Sequence, residues 1–201
     1  MDKHRGSLYL RFGPMWAGKT TWLNGELTEL SDTGFTVLKI VHADDVRDNF
    51  IEAGSTHNSS FTSLSFKIDV VRAGSLASVD VTKYNVIGID ESQFFPDLVK
   101  YVTEWVENHG KHVRAVGLDG DANKQKFGSI LDLIPLADEV LKLQAKCRFC
   151  LNELEKLGFR GNITGIGGPF TKRITPSVSG AQKDVGGADK YIPVCRYHHS
   201  L

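Results

Sequence analysis

Gly13-Pro14-Met15-Trp16-Ala17-Gly18-Lys19-Thr20-Thr21 is the stretch that decides the fold. It fits the pattern G-x-x-x-x-G-K-[ST]. Small residues let the backbone curl so that successive N–H groups point at phosphate oxygens. The lysine reaches the outer phosphates and the Thr20 hydroxyl is placed on Mg²⁺. The flanks agree. Ser7-Leu8-Tyr9-Leu10-Arg11-Phe12 alternates apolar residues at period two, which predicts a strand, and Leu23, Leu27 and Leu30 recur at helical spacing after the loop. Ser31-Asp32-Thr33-Gly34 ends that helix and Thr36–Val41 reads as a second strand. Strand, helix, strand implies a right-handed crossover and a parallel sheet.

A P-loop needs a second acid at the end of a buried strand. Tyr84-Asn85-Val86-Ile87-Gly88-Ile89-Asp90 fits, as a neighbour of the first strand, and Glu91 follows at once. One carboxylate held toward Mg²⁺ and one aimed elsewhere would divide labour between metal ligand and general base. Pro96 can open a helix whose face is Leu98, Val102, Trp105 and Val106. Val113–Leu118 reads as another buried strand, 119–128 as a polar loop, Ile130 to Ala137 as a short helix, and Glu139–Ala145 as a further strand. A strand around Leu64–Val70 is also expected. The fold class is α/β: a P-loop, RecA-like parallel sheet with helices on both faces.

The 201 residues suit one domain with a small appendage. Lys plus Arg and Asp plus Glu both number 24, so bulk electrostatics favours neither a nucleic-acid nor a membrane-surface partner. No apolar run approaches bilayer length, and Met1–Gly6 has no secretory character, so a cytoplasmic chain is expected. The three cysteines are an odd number, poor material for a disulfide framework. Residues 151–190 hold eight of the 20 glycines and little periodicity, which reads as a long loop tethered at both ends. The expected division is a P-loop domain over 1–146 and a second unit over 147–201.

Four ordered segments resemble one family. Gly13–Thr21 is similar to the G-P-M-F-S-G-K-S-T loop of the cellular-type (type II) thymidine kinases, found in cells and in large DNA viruses and phages. Asp90-Glu91-Ser92-Gln93-Phe94-Phe95-Pro96-Asp97 resembles that family's D-E-G-Q-F-F-P-D. Leu118-Asp119-Gly120 with Phe127-Gly128 resembles L-D-G-x(6)-F-G, and Gly186–Tyr191 with Cys195 resembles G-G-A-D-K-Y-x-x-x-C. The resemblance implies transfer of the ATP γ-phosphoryl group to the 5′-hydroxyl of thymidine, with deoxyuridine as a further acceptor, in pyrimidine salvage for DNA synthesis. It makes Glu91 the base, Asp90 the residue serving Mg²⁺, and Lys19 and Arg47 catalytic. Asp45-Val46-Arg47 is similar to the family's D-T-R segment, so Asp45 also lines the site. Thymidine would meet Met15, Phe94, Leu118, Phe127, Thr171 and Tyr191. ATP and its metal would be held by Gly13 to Thr21, Asp90 and Gln93. A lasso anchored on zinc would cover the nucleoside, with 151–168 as a surface excursion before the lasso proper at 171–189. The resemblance also implies a homotetramer or homodimer.

Cys147-Arg148-Phe149-Cys150 and Cys195-Arg196-Tyr197-His198 form a C-x-x-C and a C-x-x-H knuckle, a ligand set for tetrahedral Zn²⁺. His199, adjacent and pointing differently, is the alternative fourth ligand. His4, His42, His57, His109 and His112 form no spaced cluster and read as surface residues, though His42 lies near the Asp45 segment and could approach the active site. The chain departs from the family at Ala122, where an aromatic pocket wall is expected, at Asp184, where the lasso is apolar, and at Ser92 for Gly. These changes leave the phosphate chemistry intact and bear on base preference. Two alternatives follow: a nucleoside kinase with a shifted base, and a P-loop ATPase whose zinc knuckle binds nucleic acid.

Overall fold

The alternating run Ser7–Phe12 forms β1, and the P-loop carries the chain from it into α1 (Lys19–Asp32). This is a computed structural model that describes residues 5–45, 68–158, 166–176, 187 and 189–201. The chain continues through β2 (Val37–His42), β3 (Ile68–Ala73), β4 (Val86–Ile89), α2 (Leu98–Thr103), β5 (His112–Gly117) and β6 (Glu139–Lys142). Then come β7 (Ala145–Lys146), α3 (Arg148–Lys156), β8 (Gly167–Gly168), β9 (Phe170–Arg173), β10 (Tyr191–Val194) and α4 (Arg196–Ser200). Short 3₁₀ turns cover Leu76–Ser78, Ser92–Phe94 and Ile130–Leu136, and a wide π-type turn, Glu104–Asn108, prolongs α2.

The first six strands make one sheet in the order β3-β2-β4-β5-β1-β6, every pair parallel. Parallel strands require crossovers, and the crossovers cover both faces. On one face Leu8, Leu10, Ile40, Ile87 and Ile89 pack against Leu98, Val102 and Trp105 and against Ile130 and Leu133. On the other, Leu23 and Leu27 of α1 pack against Val37, Val86 and Val116. Gly88 lets α1 approach β4: a Cβ there would stand 2.5 Å from a Leu27 methyl. The acid-bearing β4 does not neighbour β1 as the sequence suggested, because β5 lies between them. The crevice at the strands' C-terminal ends still brings their loops together.

Three sequence expectations change. The strand expected over 64–70 runs from Ile68 to Ala73, and the residues before 68 lie outside those described. The segment 151–190 is not one long loop. The nine-residue helix α3 starts directly after Cys147, and β8 and β9 lie further along. Averaging over 40 residues hid the fact that the glycines begin only at Gly158. Nor is the end of 151–168 a surface excursion, since β8 pairs with β7. Gly168 passes so close to the knuckle that a Cβ would sit 3.0 Å from the Cys147 nitrogen. A second small sheet pairs β9 with β10 antiparallel.

Candidate functional site

The P-loop closes against the end of the sheet. A Cβ on Gly13 would stand 2.4 Å from the Leu143 carbonyl oxygen, so only glycine fits there. Pro14 and Met15 are buried, Ala17 is half-buried, and Trp16 (φ 67°) and Gly18 (φ 79°) adopt left-handed backbone at the exposed apex. The buried Lys19 ammonium donates to the Gly13 and Pro14 carbonyls (3.2 and 2.7 Å), the loop's own acceptors standing where phosphate oxygens would compete. Thr20 Oγ1 donates to Asp90 Oδ1 (3.1 Å), which joins the P-loop to the acid of β4. Thr21, one residue further along α1, is exposed.

Asp90 is 2% exposed and Glu91 8%. Glu91 stands in left-handed backbone (φ 49°), a strained conformation for a side chain of this size, and its carboxylate makes no helix-capping bond. Gln93 Nε2 donates to Glu91 Oε2 (2.6 Å), and Gln93 Oε1 accepts from the Leu118 N–H (2.9 Å). Gln93 thus ties the candidate base to the Leu118 main chain. Gly128 (φ 61°) packs on it so closely that a Cβ would meet the Gln93 carbonyl oxygen at 2.2 Å.

The residues expected around a nucleoside come together in part. The Phe94 and Phe127 rings meet edge-on with centroids 5.6 Å apart. Thr171 Oγ1 accepts from the Met15 N–H (3.1 Å), docking β9 on the P-loop. Tyr191 is buried in β10, with the Arg173 guanidinium 5.7 Å from its ring. Asp45 is buried at the end of β2, and its carbonyl accepts from Arg72 (2.8 Å). Arg47, Asp184 and Gly186 lie outside the described residues.

The Sγ atoms of Cys147, Cys150 and Cys195 and Nδ1 of His198 all lie within 4.8 Å of one another. Cys150 and Cys195 sulfurs are 3.9 Å apart, and His198 Nδ1 stands 3.5, 3.3 and 3.3 Å from the three sulfurs. A tetrahedron with zinc–ligand bonds of ~2.0–2.3 Å has edges of about 3.5–3.8 Å, so the cluster fits Zn²⁺. His198 Nε2 faces Glu153 Oε1 at 3.2 Å, an outer carboxylate of the kind that orients metal-bound imidazoles. Burial, with the other two sulfurs alongside, pushes the Cys150 thiol up to about 12. His199 turns away, its Nε2 lying 3.0 Å from the Ala122 carbonyl oxygen.

The thymidine kinase family profile matches residues 6–199. The chain belongs to that family. It is 36% identical over 200 residues to a thymidine kinase of Oryza sativa subsp. japonica, covering 96% of this chain and 66% of the rice protein. It is 36% identical over 198 residues to the cytosolic thymidine kinase of Homo sapiens, covering 97% and 74%. With the thymidine kinase of Yaba monkey tumor virus it shares 33% over 198 residues, covering 98% and 96%. Membership makes it an enzyme, a phosphotransferase.

Several site residues of this thymidine kinase family member escaped the sequence reading. Lys39 is buried in β2 with its ammonium 3.4 Å from Asp90 Oδ2. A lysine inside Val37-Leu38-Lys39-Ile40-Val41 was the available signal. His42, which the sequence placed near the Asp45 segment, is 4% exposed, tilted on Phe94 (5.4 Å) and edge-on to Phe95 (4.8 Å). Arg72 lies past a segment that carried no periodicity.

Proposed function

We propose that this chain transfers the γ-phosphoryl group of ATP to the 5′-hydroxyl of thymidine, in pyrimidine salvage. The observation that carries the reading is the continuous link from P-loop to pocket: Thr20 to Asp90, Glu91 beside it, and Gln93 joining Glu91 to Leu118. Gly13 to Thr21 would cradle the phosphates, with Lys19 moving from the loop carbonyls to the transferring group. Asp90 and Thr20 would hold Mg²⁺, which when bound neutralises charge on the phosphate oxygens. Glu91, fixed through Oε2, would take the 5′-hydroxyl proton. Arg47 and Asp45 belong to the same site by family resemblance. Phe94, Phe127, Leu118, Met15, Thr171 and Tyr191 would bind the nucleoside, and Cys147, Cys150, Cys195 and His198 would hold a structural Zn²⁺. The domain division is 1–146 and 147–201.

The chain's partners on this reading are small molecules rather than nucleic acid or membrane, and its location is cytoplasmic. Among the described residues no helix is long and apolar enough to cross a membrane. An oligomer, a dimer or tetramer, is supported by the edge strand β6, where Val140 and Leu141 stand exposed near exposed Ile134 and Leu136. The test is ATP against a panel of deoxynucleosides, with Glu91→Gln beside the parent. Thymidine should be phosphorylated, and Glu91→Gln should lower kcat by ~10²–10⁴-fold while ATP still binds. A drop below about threefold removes Glu91 as the base. Preference for another nucleoside would favour the shifted-base reading that Ala122 motivates.

A further inference from the structure

We propose that His199 is a positioning residue for the nucleoside pocket: its ring latches the loop that carries Leu118 and Phe127, and so sets nucleoside affinity without touching the nucleoside. The inference rests on the pocket assigned above.

The loop 118–128 is closed on itself. Gly120 and Lys126 form an antiparallel bridge, and the Asp121 N–H donates to the Gln125 carbonyl (2.9 Å). Asp121 Oδ1 accepts from the Asn123 and Gln125 amides (2.8 and 2.9 Å). Such a hairpin moves as a unit. Its base is seated on Gln93, through the Leu118 N–H and the close approach of Gly128, and on Phe94 through Phe127. Rotation about that base would shift both walls at once.

The tip is held by a hydrogen bond to His199, beside the Lys124 ammonium lying over the Phe170 ring (5.0 Å). The His199 Nε2 lies 3.0 Å from the Ala122 carbonyl oxygen. A carbonyl only accepts, so Nε2 carries the proton. The ring is braced edge-on against Phe170 (5.8 Å), and the His199 N–H donates to the Cys195 carbonyl (3.0 Å). Residue 122 offers only a methyl group, so its main-chain carbonyl makes the bond to α4. Phe170 in turn precedes Thr171, which accepts from the Met15 amide. One short stretch of the C-terminal lobe therefore fixes the P-loop side and the hairpin side of the same pocket.

The test compares His199→Phe, which keeps a ring against Phe170 but loses the donor, with His199→Gln, which restores an N–H at similar reach. His199→Phe should raise KM for thymidine roughly 3–10-fold, the range for one neutral hydrogen bond, with kcat and KM for ATP within about twofold of the parent. His199→Gln should return the thymidine KM to within about twofold. Amide hydrogen exchange should quicken over 119–128 in His199→Phe and not over the P-loop, a readout that needs no activity. The proposal is overturned if both variants raise the thymidine KM equally, if neither does, or if KM for ATP moves in step. Phe127→Ala separates this failure from failure of the pocket itself. If it raises the thymidine KM while His199→Phe does not, the pocket stands and the latch falls. If neither moves it, the pocket assignment is wrong.

Discussion

At the scale of single residues, Lys39 and Asp90 form the most consequential pair. Both are buried, and Asp90 also accepts from Thr20 and from the Glu91 amide. Removing one partner of a buried pair leaves an uncompensated charge, at a cost of ~3–5 kcal/mol. Lys39→Met should therefore lower the stability of the nucleotide-free protein by about that much, and Mg²⁺ with ATP should restore more of the melting temperature in the variant than in the parent. Thermal melts with and without the ligands check this; equal shifts in both proteins would reduce Lys39 to a packing role. Lys19, Thr20, Asp90 and Glu91 were legible in the sequence because each obeys a local rule: a glycine-framed loop, or an acid closing a buried strand. Lys39 was not. Its partner is fixed by which strands neighbour one another, and strand order is not a local property.

At the scale of elements, Asp97 explains how the segment Asp90–Asp97 is braced. It stands at the N-cap position of α2 yet does not cap it. Its carboxylate instead accepts from Ser75 Oγ (2.6 Å) and from the Leu76 and Ala77 amides (3.1 and 3.0 Å), tying the segment to the turn after β3. Burial pushes the Asp97 carboxyl up, but these donors outweigh it and hold it below its ordinary value of 3.8. A carboxyl whose pKa falls on folding stabilises above its unfolded value and loses that contribution as pH falls through the folded one. Asp97→Asn should cost about 1–3 kcal/mol at pH 7, with the gap to the parent closing below about pH 4. Denaturant melts across pH 3–7 check it, and a gap independent of pH would assign the loss to packing. Most elements were legible, β1 and α1 from their periodicity and β2, β4 and β5 as short apolar runs. Helix α3 was not, because it is only nine residues long and its apolar spacing (Cys150, Leu151, Leu154) was averaged into the glycine-rich stretch that follows it.

At the scale of the whole molecule, the C-terminal lobe joins the P-loop domain at Thr171–Met15 and His199–Ala122. Metal analysis should find about one Zn²⁺ per chain. Stripping it should lower the melting temperature by roughly 8–16 °C, the shift for losing a ligand held near a thousandfold above its Kd, and should raise KM for thymidine more than KM for ATP. A metal-free preparation with unchanged KM for both would remove the site. The zinc ligand set was legible from spacing, and so was the choice of His198 over His199; where the His199 ring goes instead was not. It depends on α4 placing one ring toward the sulfurs and the next toward Ala122.

The sheet order has a consequence for how the protein is made. Strand β1 gains its two partners only when His112–Gly117 and then Glu139–Lys142 have been synthesised. The ligands Cys195 and His198 follow roughly fifty residues later. At ~5–20 residues per second, a ribosome-bound chain spends several seconds with its sheet assembled and its lobe unfinished. In that interval the nascent chain should retain on immobilised ATP but not on immobilised thymidine, so the growing polypeptide becomes competent for its two substrates in a fixed temporal order.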